Sequence, residues 1–80
     1  MQIRFAQSAR RHRVGKGSVR YVMATVIPTS VQTPAGNPAW FYLGSDERGR
    51  ELEIVAVELG AGQSAGLLVI HVMPTQLRGS

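Results

Sequence analysis

The chain has 80 residues, 44% hydrophobic and 18% charged, with nine Lys and Arg against five Asp and Glu and a formal net charge of +4. That length allows one domain over residues 1–80 with a thin core, and that composition excludes disorder, which needs few apolar residues and a high net charge. With no cysteine and only two histidines, disulfide scaffolds, zinc knuckles and thiol nucleophiles are excluded, and neither metal nor cofactor is expected.

The first third is expected to be helical. Ser8 is positioned to cap a short helix from Ala9 to Arg13, and Gly15-Lys16-Gly17 breaks it. Ser18 is an N-cap candidate for a second helix. Val19, Val22, Met23 and Val26 then fall at i, i+3, i+4 and i+7, one apolar face. Pro28 disfavours helical geometry at Ile27 and stops the helix. Thr29 to Thr33 predicts a short edge strand, Trp40 to Gly44 a second strand, Glu51 to Leu59 a long third, and Leu67 to Met73 a fourth. Asp46-Glu47-Arg48-Gly49 has hairpin chemistry, with Gly49 free to take positive φ. Gly60 to Gly66 is expected to be a flexible loop. The resulting expectation is an α+β fold: two N-terminal helices packed on a small antiparallel sheet of three to four strands.

Period-two alternation places Leu52, Ile54 and Ala56 on one face of the long strand, and Glu51, Glu53, Val55, Val57 and Leu59 on the other. Pairing Ser45 with Arg50 sets Leu43 opposite Leu52 and Phe41 opposite Ile54, leaving Trp40, Tyr42 and Glu53 on the far face. Pairing Leu59 with Leu67 sets His71 opposite Val55, with Glu53 diagonal to it. Val55, Val57, Leu59, Val69 and Met73 then form a second apolar face, which marks an interface unless a helix covers it.

Charge is segregated. Arg4, Arg10, Arg11, Arg13, Lys16 and Arg20 are six of the nine cations and lie in the first twenty residues with no acid among them. Such a block is either a solvated face or the footprint of nucleic acid or an acidic partner. His71 is the strongest acid–base candidate, because imidazole titrates near neutral pH; the alternative is a sheet histidine satisfied by backbone. Glu51 and Glu53 share a strand face, as paired carboxylates do in glycosidases, but an 80-residue domain offers little cleft. Gly15-Lys16-Gly17-Ser18 lacks the strand and first glycine of a phosphate loop. Trp40 and Tyr42 either stack on bases or pack beneath a helix.

The Arg11-His12 segment, the helix from Ser18, the hairpin Tyr42 to Leu52 and the final strand Leu68-Val69-Ile70-His71-Val72-Met73-Pro74, followed by Arg78, together resemble the BrnT-like members of the RelE superfamily, toxins of bacterial type II toxin–antitoxin modules. The resemblance implies a RelE-like fold and a metal-independent endoribonuclease acting on mRNA, free or ribosome-bound, in the cytoplasm. It implies His71, Glu53, Arg50 and Arg78 as catalytic residues, and Arg10, Arg11, His12, Arg13, Lys16, Arg20, Trp40 and Tyr42 as RNA-binding. The implied partners are RNA and a cognate antitoxin protein. One departure is that the last strand carries His71 and Met73, with the next arginine only at Arg78. The rivals are a non-catalytic nucleic-acid-binding module and a homodimeric interaction domain. No apolar run reaches the roughly 18–20 residues of a membrane helix. The basic start is not followed by the apolar stretch of a secretory signal.

Overall fold

A computed structural model describes residues 2–60 and 65–77. It is built on one mixed five-stranded sheet in the order β1-β5-β4-β3-β2, crossed on one face by a single helix. The strands are β1 (Gln2–Phe5), β2 (Thr29–Gln32), β3 (Pro38–Ser45), β4 (Glu51–Leu59) and β5 (Gly66–Pro74), and the helix is α1 (Lys16–Thr25). The described residues also include two 3-10 turns, Gln7–Arg10 and Thr75–Leu77. This corrects the expected fold of two helices on a three- to four-stranded antiparallel sheet.

The difference begins at the N-terminus. Ile3 and Phe5 alternate with Gln2 and Arg4, so the segment has one apolar and one polar side. It pairs parallel to β5, Gln2 with Gly66 through Phe5 with Val69. The expected first helix is only the 3-10 turn Gln7–Arg10, whose Ala9 is buried against the sheet. Ser8 does not cap it; its hydroxyl reaches across to Ile70. Nor is Ser18 an N-cap. α1 starts two residues earlier behind Gly15, and the Ser18 hydroxyl donates to Glu47 in the β3–β4 turn.

The apolar stripe of α1 is where its spacing puts it. Val19 and Val22 are fully buried, with Met23 and Val26 packed alongside. They lie over Tyr42, Leu52, Ile54, Ala56, Leu67, Val69 and Val72 of the sheet. Gly44 allows the close approach, since a Cβ there would stand 2.5 Å from a Val26 methyl carbon.

The β3–β4 hairpin is one residue out of the expected register. Ser45 pairs with Glu51, Tyr42 with Ile54 and Trp40 with Ala56. The cause is Asp46. Its backbone N–H bonds to the Arg50 carbonyl at 2.8 Å, which leaves a three-residue loop ending at Gly49 with φ +80°. Its buried carboxylate accepts the N–H groups of Arg48 and Arg50, both at 2.9 Å, and the Arg50 Nε at 3.2 Å. Burial opposes ionisation of this carboxyl. The two backbone N–H bonds, then the Arg50 bond and charge, outweigh it and hold the pKa below the ordinary aspartate value.

The slip exchanges the two faces of β3. Trp40 and Tyr42 turn to the helix side, and Phe41 and Leu43 join Glu53 on the other. The β4–β5 register is also one residue from expectation at its outer end, where Leu59 pairs with Gly66 rather than Leu67, so Val69 faces the helix. Between Val55 and Ala56 a bulge inserts Ile70 without a partner on β4, and beyond it His71 does oppose Val55. Part of the expected Gly60 to Gly66 loop lies outside the described residues; Gly66 itself belongs to β5. Among the described residues no helix is long and apolar enough to cross a membrane.

Candidate functional site

The bulge at Ile70 decides where His71 points. If the outer register, Ala56 with Val69, ran on without interruption, His71 would fall opposite Ile54 on the helix-covered face. The extra residue rotates β5 so that His71 emerges on the open face, one of the ways bulges re-aim side chains. There its Nε2 lies 3.1 Å from Oε1 of Glu53, its diagonal neighbour on β4. Glu53 is almost fully buried, while the His71 side chain is 41% exposed. A carboxylate on Nε2 fixes the tautomer: Nε2–H donates to Glu53, and Nδ1 keeps its lone pair.

Burial, and then the positive charge of Arg11, hold His71 below the ordinary imidazole pKa of 6.5. The ring is therefore neutral at neutral pH, and its bond to Glu53 is that of a neutral donor to a carboxylate. A partly exposed, oriented, neutral imidazole can act as a general base.

Arg11 follows the 3-10 turn, and its positive charge acts on His71. The Ala6 N–H donates to the Val69 carbonyl at 2.9 Å, extending the β1–β5 pairing. The Ser8 hydroxyl then donates to the Ile70 carbonyl at 2.7 Å. These two bonds seat the turn on β5 beside the bulge. Phe5, Gln7, Arg10 and Arg11 line an adjoining groove of about 570 Å³. Lys16 and Arg20 of α1 hold their cationic groups 5.4 and 5.8 Å from the centre of the Phe5 ring, which faces the helix side with Val69, so they do not join His71 on the open face. The ion pairs among the described residues are Arg50–Asp46 and His71–Glu53, and neither involves these N-terminal cations.

The residues implied as a site are therefore split. His71 and Glu53 are bonded and Arg11 acts on His71 through its charge; Arg10, His12 and Arg13 adjoin Arg11 along the chain. Arg50 does not join them. It is held by Asp46 in the β3–β4 turn, while His71 lies opposite mid-strand Val55. Arg78 lies outside the described residues. Tyr42 is buried beneath α1, where burial raises its pKa, and is not available to stack on a base. Trp40 is half-buried on the helix side and donates its indole N–H to Glu58 at 3.0 Å. Glu51 does not act with Glu53 as a carboxylate pair; it accepts the Thr75 hydroxyl at 2.7 Å. Among the described residues, no cluster of His, Asp and Glu could hold a metal.

Sequence reasoning had grouped Arg11 with the RNA-binding cations and overlooked Ser8 as a site residue. No local signal finds either, because Ser8 and Ile70 are 62 residues apart. Comparisons with known protein families, with curated proteins and with solved structures each find no match.

Proposed function

We propose that this chain binds RNA across its basic N-terminal segment and the open sheet face, and cleaves it at His71 without a metal, as the toxin of a toxin–antitoxin pair. The observation that carries the reading is the Glu53–His71 bond with Arg11 beside it. One base, one orienting carboxylate and one phosphate-sized cation converge on an exposed face.

In this reading Nδ1 of His71 takes the proton of a ribose 2′-hydroxyl. The 2′-oxygen attacks the adjacent phosphorus as the bond to the 5′-oxygen breaks, and that oxygen recovers a proton from solvent. The products are a 2′,3′-cyclic phosphate and a 5′-hydroxyl. Arg11 stabilises the charge that develops on the phosphoryl oxygens. Glu53 orients the imidazole and favours the imidazolium as it forms. The site of action would be the cytoplasm, and the target mRNA.

The partner reading rests on the same face. Phe41, Leu43, Val55, Val57, Leu68, Ile70 and Met73 lie on the side of the sheet opposite α1. An antitoxin segment with apolar and acidic residues would cover them and neutralise the cations together.

The test is a fluorescent RNA oligonucleotide incubated with purified protein in chelator, with end analysis. Cyclic phosphate ends from the wild type, and none from a folded His71→Ala variant, are expected. Salt-dependent binding with no cleavage at any pH would replace the enzyme by a binding module.

A further inference from the structure

Ser8 does more than close a turn. The bulge leaves Ile70 without a partner on β4, and the carbonyl of Ile70 is taken by the Ser8 hydroxyl at 2.7 Å. Ile70 is the residue before His71. Ser8 lies three residues before Arg11, at the start of the same turn, and Arg13 closes that turn with an N–H bond to the Arg10 carbonyl. One hydroxyl thus ties the backbone that aims the imidazole to the backbone that carries the guanidinium.

We propose that Ser8 is a positioning residue, setting Arg11 against His71 through its bond to the bulge carbonyl; this rests on the catalytic reading of His71. The alternative tethers are weaker at this point. The Ala6–Val69 bond lies one residue further from His71 along β5 and secures the end of β1. Ala9 anchors the turn by burial, which is non-directional and does not fix the bulge carbonyl. Among the described residues, the charged groups that act on His71 are Glu53, bonded from β4, and Arg11, through its charge, with Arg4 of β1 on the same face level with Leu68.

The experiment compares Ser8→Ala, Ser8→Thr and Arg11→Gln by NMR titration of the His71 ring, and by RNA cleavage against pH. In Ser8→Ala the ring should titrate closer to 6.5, in the direction that Arg11→Gln gives. Its kcat should fall about 10- to 100-fold with KM less affected, as misplacement of a reacting group does. Ser8→Thr keeps the hydroxyl and should restore both. The titration requires no RNA, so it tests the Ser8–Arg11–His71 coupling even if the wild type cleaves nothing. A folded Ser8→Ala variant with unchanged His71 titration would overturn the proposal. So would failure of both Ser8→Ala and Ser8→Thr to fold, which would make Ser8 a residue of the fold instead.

Discussion

Gly66 stands so close to Gln2 that a Cβ on it would lie 2.6 Å from the Gln2 backbone oxygen. That oxygen belongs to β1 and has no freedom to retreat without breaking its parallel register with β5. Gly66→Ala should therefore loosen β1, and with it the turn that carries Arg11. A loss of about 1–3 kcal/mol is expected from urea unfolding. Gly44→Ala meets a Val26 side chain instead of backbone and should cost less, because a methyl group can move. Equal losses would show that β1 is not rigidly seated.

His71→Ala should lower the cleavage rate by about 10²- to 10⁴-fold while leaving the fold intact, since the ring is partly exposed. Glu53→Gln should lower it less and change its pH dependence. Because burial and Arg11 hold His71 below 6.5, wild-type activity should rise with pH with its midpoint below that value. Undiminished cleavage by folded His71→Ala would remove the imidazole from the chemistry.

Acid should destabilise the protein in two stages. His71 has a lowered pKa in the fold, so below 6.5 the unfolded chain takes up the proton more readily. Its contribution is present above 6.5 and is lost as the pH falls through the folded pKa. Asp46 is also lowered, and its contribution is lost below the aspartate value of 3.8. Urea midpoints measured on acidification should be level above 6.5, then decline, then decline again below about 4. A midpoint that rises between 6.5 and 5 would contradict the placement of His71.

Leu43 is 45% exposed on the open face, whereas Leu52 is fully buried beneath α1. Leu43→Arg should change stability by no more than about 0.5 kcal/mol, yet weaken any protein that neutralises the chain by covering this face. Leu52→Ala should cost about 2–5 kcal/mol. Isothermal titration with the product of the adjacent gene checks the first effect and urea unfolding the second. Unaltered affinity for Leu43→Arg would place the partner elsewhere.

Four strands, β2 to β5, and α1 were legible because each carries a local signal of its own. The Val19, Val22, Met23 and Val26 stripe needs no tertiary information, and neither does the alternation of Leu52, Ile54 and Ala56. β1 was missed because four residues, one of them Arg4, give too short a pattern, and its pairing lies with the last strand. The hairpin slipped because its register is set by the bonds Asp46 makes, not by the Gly49 turn signal alone. The pairing of His71 with Glu53 survives despite an incorrect outer register. The Ile70 bulge supplies the missing residue, and nothing in the local sequence announces it.

The parallel seat of β1 beside β5 has a consequence for synthesis. Among the described residues β1 pairs with β5 alone, so the first strand cannot be seated until the last has been made. Arg11 and His71 cannot meet until the last strand has been made and has docked. A nascent chain therefore carries basic residues but no assembled site. On the proposed reading, a neutralising partner would have that interval in which to bind before the imidazole and the guanidinium first stand together.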